Sequence, residues 1–249
     1  MPGLRPALEL VASPGATPDA GARVAVVIPA WNEAYAIGGV VRELPRDLVA
    51  EVIVADGGST DGTQAAAAAA GARVIEPGRG YGRACLEGAR AARTGCDVIA
   101  FMDGDGADRG DLIGRIVSPI LAGTQDFVIA SRTRGKRDPG SMLWHQVLAG
   151  ELAGRLMGLR YGVRYTDMCA FRAIRRDRLL ALDMREMTYG WNIEMQMKAA
   201  RDRLRVLEVP MPYRNRSGGT SKVAGSLQGT LRASWKIGTT FLRVAGAGR

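Results

Sequence analysis

Two aspartates separated by one glycine are the residues of this sequence whose types and spacing best suit catalysis. Asp103, Gly104 and Asp105 directly follow residues 98–102, an apolar run typical of a buried strand. Carboxylates one residue apart on a tight turn can reach one divalent ion and one diphosphate together, and such oxygen ligands favour Mg2+ or Mn2+. An ordinary Asp-Gly turn is the alternative interpretation of so short a motif.

Polar side chains also follow two other apolar runs. Asn32 and Glu33 come just after residues 24–29, and Asp56 follows the run at 51–55. An aspartate in this position can accept a hydrogen bond from a ring N–H of a nucleobase, although aspartate is also common in turns. Because ligands bind beyond the carboxyl ends of parallel strands, we expect these residues to lie near the aspartate pair.

Several other kinds of site are excluded. His145 is the single histidine, so multi-histidine zinc sites are impossible and a serine or cysteine nucleophile would depend on this one residue. The glycine-rich stretch 78–83 does not match the dinucleotide pattern G-x-G-x-x-G, and the sequence contains no Walker phosphate loop. Cys85, Cys96 and Cys169 lack the spacing of metal ligands, so we expect reduced packing residues of a cytoplasmic protein.

The elements that must position these residues alternate between strand and helix along the first half of the chain. This order predicts an α/β fold with a mostly parallel sheet in three layers and helices on both faces. Ser59 or Asp61 is predicted to cap the helix that carries six consecutive alanines. The predicted strands cover 24–29, 51–55, 73–76, 97–102 and 127–130, and the predicted helices cover 34–44, 65–70, 83–93 and 111–121.

The composition is that of a globular protein with an anionic partner. The 249 residues carry a formal net charge of +9, which favours nucleic acid, a membrane surface or a phosphorylated small molecule as the partner. No apolar run reaches the roughly 18 residues of a membrane span, and the amino terminus lacks a secretory signal pattern. We predict a flexible segment at 1–22, a main domain at 23–222, and a basic amphipathic helix or tail at 223–249.

A series of motifs resembles the family 2 glycosyltransferases with the GT-A fold. These are VIPAWNE at 27–33, DGGSTDGT at 56–63 and the aspartate pair. Further motifs resemble the dolichyl-phosphate mannose and glucose synthase branch: ASR at 130–132, TDMCAFR at 166–172, EVP at 208–210 and RSGGTSK at 216–222. The resemblance spans about residues 24–222. Some relatives continue into transmembrane helices, whereas this sequence ends at residue 249.

The resemblance implies an inverting transfer of a sugar from UDP- or GDP-sugar to a phosphate-bearing acceptor such as a polyprenyl phosphate. It implies a nucleotide-sugar site made by Pro29, Ala30, Asn32, Glu33, Asp56, Arg83, Asp103 and Gly104. Mg2+ or Mn2+ would be held by Asp103 and Asp105. Phosphate groups would be bound by Arg132, Arg216, Ser221 and Lys222. The implied catalytic residues are Asp105, Arg132 and Glu194.

Two positions depart from the family pattern. Ala107 stands where the lipid-phosphate synthases have a metal-binding glutamine, so Asp108 or water would replace it. Asn192 stands where many inverting relatives have a catalytic-base aspartate. Either Glu194 is the base for a soluble hydroxyl acceptor, or an anionic phosphate acceptor needs none; we favour the phosphate because R-x-x-G-x-S-K is retained. A helix-surface carboxylate paired with Lys198 is the alternative for Glu194.

The carboxyl-terminal stretch predicts an amphipathic helix. Its apolar face would carry Leu227, Leu231, Trp235 and Leu242, with basic Arg232, Lys236 and Arg243 elsewhere. Such a helix could lie on an anionic membrane, placing the protein peripherally at the inner membrane face, or pack on the domain or on a second subunit of a homo-oligomer. No nucleic-acid partner is expected.

Two other functions explain less of the sequence. A sugar nucleotidylyltransferase would have a glycine-rich loop with lysine after the first strand, where this chain has PAWNE. A basic binding module without catalysis would leave the carboxylates at three strand ends unexplained.

Overall fold

The computed structural model of this protein describes residues 23–218 and 227–246, with only the backbone described for 227–233. The strands are β1 (Arg23–Ala30), β2 (Val49–Asp56), β3 (Arg73–Ile75), β4 (Cys96–Phe101), β5 (Phe127–Ser131), β6 (Arg172–Arg175) and β7 (Val206–Pro210). The α-helices are α1 (Ile37–Glu43), α2 (Thr63–Ala69), α3 (Tyr81–Ala91), α4 (Gly114–Leu121), α5 (Trp144–Tyr161), α6 (Arg176–Ala181), α7 (Trp191–Arg201) and α8 (Leu227–Gly246). A short 3-10 helix, Gly110–Leu112, precedes α4.

The strands form one sheet in the order β3-β2-β1-β4-β6-β5-β7. The pairs β2–β3, β1–β2, β1–β4 and β5–β7 are parallel, and β6 is antiparallel to both β4 and β5. The predicted mostly parallel sheet is therefore confirmed. Along the chain the strands run outward from β1 to β3 and then return to β4 on the other side of β1. This reversal creates a crevice at the carboxyl ends of β1 and β4.

Helices cover both faces of the sheet. The side chains of residues 24–28 in β1 all have 0% exposure. Successive side chains of a strand point to opposite faces, so a strand buried at every position must be covered on both sides. This burial on both faces explains why β1 is a continuous apolar run and does not alternate between apolar and polar residues. Cys85, Cys96 and Cys169 are free and buried within this core, as predicted.

Two local predictions need correction. α1 begins at Ile37 and not near residue 34, because the carbonyl of Glu33 accepts hydrogen bonds from the N–H groups of Ala36 and Ile37 in a turn. The residue at the start of α2 is Gly62, whose φ of 92° is left-handed, and no side chain caps this helix. Glycine adopts that conformation at no steric cost.

Ser59 and Asp61, the two predicted caps, have other partners. Ser59 donates its hydroxyl to Asp56, while the carboxylate of Asp61 accepts hydrogen bonds from the N–H groups of Ala34 and Thr63. Both residues therefore fix the loop between β2 and α2 against the loop that follows β1.

α8 occupies most of the region predicted as a carboxyl-terminal helix, and it packs on α7. Its side chains that face the domain are buried or half-buried, namely Ile237, Thr240, Phe241 and Val244. Trp235 and Leu242 are 75% and 72% exposed. Packing on the domain, one of the three predicted arrangements, is thus observed, but Trp235 and Leu242 of the predicted apolar face do not take part in it. Across residues 23–218 and 227–246, no helix is long and apolar enough to cross a bilayer.

Candidate active site

A cavity of about 340 Å³ opens at the carboxyl ends of β1, β2 and β4. The sequence predicted seven of the residues that line it, namely Pro29, Ala30, Glu33, Asp103, Gly104, Asp105 and Arg216. The other lining residues are Trp31, Gly57, Arg79, Gly80, Tyr81, Ala84, Thr188 and Tyr189. The expectation that polar residues after separate strands meet at one edge is met by Glu33 and the two aspartates.

The turn after β4 presents both aspartates to the cavity. The hydroxyl of Tyr81 donates to Asp103 Oδ1 at 3.3 Å, and the backbone N–H of Ala107 donates to Asp105 Oδ1 at 2.9 Å. Burial and the neighbouring negative charge of Asp105 raise the pKa of Asp103 to about 6. Burial is the larger of the two causes, so Asp103 is a carboxyl group enclosed by protein beside a second carboxylate.

Asp108 lies beneath this turn and outside the cavity lining. It is 3% exposed, and its Oδ2 accepts a hydrogen bond from the N–H of Asp103 at 3.1 Å. Burial, with the charges of Asp103 and Asp105, raises the pKa of Asp108 to about 8. In this geometry Asp108 supports the backbone of the aspartate turn.

Arg216 joins two acidic groups across the cavity. Its guanidinium lies 3.2 Å from Glu33 Oε1 and 3.3 Å from Asp105 Oδ2. The next residue, Ser217, donates its N–H to the carbonyl of Asp105 at 3.0 Å. The chain around Arg216 therefore lies directly on the aspartate turn, where a cationic side chain can meet a bound phosphate.

Asp56 lies at the base of a loop beside the cavity. It is 0% exposed, and Oδ2 accepts hydrogen bonds from the N–H groups of Gly58 and Ser59 and from the amide of Gln64. Burial alone would raise its pKa, but the bonds from Ser59 and Gln64 outweigh burial, so the pKa lies below the ordinary value. The structure shows the turn-forming role of Asp56, while its neighbour Gly57 lines the cavity.

Asn32 and Arg83 lie next to the cavity but are not part of its lining. Asn32 Oδ1 accepts the N–H of Thr60 at 2.9 Å, which joins the loops after β1 and β2. Arg83 is exposed, and its backbone N–H donates to the carbonyl of Met187 at 3.0 Å.

Arg132 is engaged in an ion pair away from the cavity lining. Its Nη2 lies 2.7 Å from Asp167 Oδ1, and its Nε and backbone N–H both donate to Asp167 Oδ2 at 2.9 Å. The guanidinium also lies 5.0 Å from the ring centroid of Tyr213. Asp167 belongs to the TDMCAFR motif, so the structure joins two predicted motifs through this pair.

Glu194 is fully buried on α7 and is not part of the cavity lining. Its carboxylate lies 3.0 Å from the ammonium of Lys198, so the alternative pairing predicted from the sequence is present. However, both side chains are buried, at 0% and 8% exposure, and neither lies on the helix surface. The four-residue spacing therefore predicted Lys198 as the partner of Glu194 but did not predict that the pair is buried. Ser221 and Lys222 lie outside the described residues.

Comparison with known proteins identifies the family of this chain. Residues 25–181 match the family described as Glycosyl transferase family 2. The chain belongs to this family. Its sheet, with β6 reversed, matches the GT-A fold of the solved structures described next.

The proteins similar to this chain include a transferase named for a lipid phosphate and a synthase named for phosphoglycerate. An uncharacterized glycosyltransferase of Mycobacterium tuberculosis is 35% identical, over 88% of this chain and 99% of its own. The undecaprenyl-phosphate mannosyltransferase of Micrococcus luteus is 33% identical, over 83% of this chain and 90% of its own. The M. tuberculosis glucosyl-3-phosphoglycerate synthase, solved with Mn2+, UDP-glucose and phosphoglyceric acid, has a TM-score of 0.73 at 26% identity, over 96% of this chain and 87% of that chain.

The family assignment decides between the functional classes considered from the sequence. The protein is a glycosyltransferase, and neither a sugar nucleotidylyltransferase nor a binding module without catalysis. The same synthase has also been solved with Mg2+ and UDP.

Some residues of this glycosyltransferase cavity were missed by sequence reasoning. The guanidinium of Arg79 stacks on the ring of Trp31, 4.0 Å from its centroid, and both residues line the cavity. Trp31 belongs to the VIPAWNE motif, and its position next to Pro29 and Ala30 could have indicated that it lines the cavity. Thr188 and Tyr189 carry no motif, so nothing in the sequence pointed to them.

The carboxylates of this site fit a divalent cation in part. Among the described residues, no three histidine, cysteine, aspartate or glutamate side chains form a ready metal site. Asp103 and Asp105 line the same cavity and offer hard oxygen ligands of the kind that Mg2+ or Mn2+ prefers. The remaining ligands would come from water and from the phosphates of a bound nucleotide.

Proposed function

We propose that this protein transfers a hexosyl group from a nucleoside-diphosphate sugar to a phosphate-bearing acceptor, with inversion at the anomeric carbon. Pro29, Ala30 and Glu33 would line the nucleoside part of the cavity. Asp103 and Asp105 would hold Mg2+ or Mn2+, which stabilises the negative charge of the departing diphosphate. Arg216, with Ser221 and Lys222, would bind phosphate groups.

One observation carries this proposal: the aspartate pair and Arg216 line the same cavity at the carboxyl ends of β1, β2 and β4. Arg216 contacts Asp105 at 3.3 Å, and Asp103 lines the same cavity, so the site offers groups for a cation and for an anion side by side. A metal–diphosphate complex has this pair of charges. The mixed charge thus supports a nucleotide sugar better than it supports a simple anion.

The absence of a free base in the described cavity supports a phosphate acceptor. Among the described lining residues, the carboxylates are Glu33, Asp103 and Asp105, and Glu33 is paired with Arg216. Glu194, the candidate base, is enclosed by protein at 0% exposure. A phosphate oxygen is already anionic at neutral pH and can attack without losing a proton, so this cavity suffices for it.

The outer surface of α5 supports an acceptor carried on a lipid. Small residues occupy the buried side of this helix, which includes Gly150, Ala153, Gly154 and Gly158. The large apolar residues face outward instead, namely Trp144, Leu148, Leu152, Leu156 and Leu159, with exposures of 41% to 81%. At 100° per residue they fall within an arc of about 120°. We infer that this stripe rests on the membrane that holds a polyprenyl phosphate.

The donor is tested by thermal unfolding with UDP or GDP, each with and without Mn2+. Saturation at about 100 times the dissociation constant should add about 2.7 kcal/mol to the unfolding free energy, or a Tm rise of roughly 5–10 °C. One nucleotide should give this shift only with the metal. No shift with either nucleotide would contradict the proposed donor.

The acceptor is tested with the donor found in this way, by mass spectrometry of the products. Polyprenyl phosphate in anionic vesicles is compared with phosphoglycerate and with a free sugar. We expect the lipid product, and a double substitution of Leu148 and Leu152 to Gln should lower its formation about 5-fold without changing nucleotide binding. Leu180→Gln, on α6 and 54% exposed, is the matched control. A product from phosphoglycerate alone would contradict the lipid, and one from the free sugar alone would contradict the phosphate acceptor.

A further inference from the structure

One wall of the cavity is built by residues 186–190, which we call the wall segment. Thr188 and Tyr189 of this segment line the cavity, opposite the turn that carries the aspartates. The segment precedes α7 and forms neither helix nor strand. Its position therefore depends on contacts with the elements around it, and the strongest of these come from two buried glutamates and from α8.

Glu186 connects the wall segment to α8. Its Oε1 accepts hydrogen bonds from the N–H and hydroxyl groups of Thr188, at 3.0 and 2.5 Å. Its Oε2 accepts the hydroxyl of Thr240 on α8 at 3.0 Å, and Lys236 and Arg243 lie 3.4 and 3.7 Å away. Burial raises the pKa of Glu186, but the bonds from Thr188 and Thr240 outweigh burial, so the pKa is lowered and the side chain is ionised at neutral pH.

Glu194 holds the beginning of the same segment. Its Oε2 accepts the backbone N–H groups of Arg185 and Glu186, at 3.1 and 2.6 Å. Its Oε1 lies 3.0 Å from Lys198 and 3.3 Å from Arg243. Arg243 thus contacts both buried carboxylates. Glu194 accepts hydrogen bonds from the backbone that leads into the cavity wall.

The wall segment lies in close contact with its neighbours on two sides. A Cβ on Gly190 would lie 2.4 Å from the hydroxyl oxygen of Thr240, and a Cβ on Gly82 would lie 2.1 Å from the carbonyl oxygen of Glu186. Real Cβ atoms do not approach so closely. The segment is therefore packed between the first turn of α3 and the middle of α8, with the cavity beyond it.

We propose that Glu186 is a positioning residue for this glycosyltransferase, and that α8, through Thr240 and Arg243, sets the shape of the cavity from outside it. Glu186 acts on the cavity indirectly, because it accepts hydrogen bonds from Thr188, which lines the cavity. The inference rests on the proposed function, because its substrate is a nucleotide sugar. The contacts that support the inference, however, are present in the protein without any ligand. Loss of a contact should loosen the wall segment and weaken substrate binding more than the chemical step.

The test compares substitutions at two neighbouring threonines of α8. Thr240→Val removes the hydrogen bond to Glu186 with little change in volume, and Thr240→Ser retains the hydroxyl. Thr239→Val is the matched control, because the hydroxyl of Thr239 donates to the carbonyl of Lys236 within α8. Hydrogen exchange of the amides at 185–190 is measured without ligand, and KM and kcat for the nucleotide sugar are measured separately.

For Thr240→Val we expect amide exchange about 10-fold faster in the wall segment and a KM about 5-fold higher, with kcat changed less than 2-fold. Thr240→Ser and Thr239→Val should behave like the unchanged protein. Arg243→Gln, at a half-exposed position, repeats the test if Thr240→Val unfolds. Faster exchange with an unchanged KM would overturn the proposal, as would unchanged exchange. If the unchanged protein binds no nucleotide, the exchange result still stands and only the proposed function fails.

Discussion

The side chain of Asp105 combines a structural contact with a charge that faces the cavity. One carboxylate oxygen accepts the N–H of Ala107, which fixes the turn, while the other faces Arg216 and the cavity. An asparagine could keep the first contact because its amide oxygen also accepts a hydrogen bond. It could not hold a cation with the same strength, so substitution at this position separates the two roles.

We therefore expect Asp105→Asn to fold normally but to lose the metal-dependent part of nucleotide binding. Turnover should fall by about 10²- to 10³-fold, as when a group that stabilises the departing charge is removed. The measurement is calorimetric titration of Mn2+ with the nucleotide present, followed by an activity assay. Asp111→Asn, which removes a carboxylate paired with Arg109 outside the cavity, should change neither. Retained Mn2+ binding in Asp105→Asn would exclude this aspartate as a ligand.

The residues that the sequence placed in the cavity and that do line it mostly follow a strand end. Asp103 and Asp105 follow β4, and a strand fixes where the residues after it emerge. Glu194 lies on α7, where a Glu–Lys pair four residues apart is usually exposed, but here the backbone at 185–186 and Arg243 of α8 contact its carboxylate. Thr188 and Tyr189 lie on a segment whose path depends on distant parts of the chain, so no local pattern could identify them.

At the scale of elements, the alternation of apolar runs and helical stretches was sufficient for the first half of the fold. β6 was not predicted, because its four residues, RAIR, are short and half charged, and they form a strand only between β4 and β5. α5 was also missed. Its apolar residues lie on the side that the periodicity rule assigns to the core, whereas the structure turns them outward.

The close approach of α5 to the loop before β6 depends on its glycines. A Cβ on Gly154 would lie 1.7 Å from the carbonyl oxygen of Tyr165. We expect Gly154→Ala to lower the unfolding free energy by about 1–3 kcal/mol, because α5 must move away from this loop. Gly39→Ala on α1, where a Cβ meets nothing within 4 Å, should instead raise it by up to about 1 kcal/mol. Urea unfolding measures both, and equal effects would refute the packing argument.

Over the whole molecule, which has a net charge of +9, some of the basic side chains form ion pairs that join distant segments. Lys236 and Arg243, which the sequence suggested for a membrane surface, both lie near Glu186. At the amino ends of β5 and β7, Arg205 lies 2.8 Å from Asp126 and donates its backbone N–H to the same carboxylate. The composition predicted the sign of the net charge but could not predict which residues form these ion pairs.

The pair at Asp126 predicts how stability changes in acid. Hydrogen bonds from Arg205 lower the pKa of Asp126 to about 2, from an ordinary value of 3.8. Its stabilising effect is therefore complete above about pH 4 and lost as the pH falls through 2. We expect Asp126→Asn to flatten the fall in unfolding free energy in this window by up to about 1.4 kcal/mol per pH unit. Denaturant unfolding at several pH values measures it, and parallel curves from pH 4 to 2 would contradict the shift.

The cavity draws its walls from both sides of residue 181, where the match to the family ends. Pro29, Gly57 and Asp103 come from the matched part, but Tyr189 and Arg216 come from the chain that follows it. A chimera joined at this boundary would therefore take its metal ligands from one parent and a facing wall from the other. To exchange substrate preference between two such enzymes, the chain after residue 181 would have to be transferred together with α8, which contacts the wall segment.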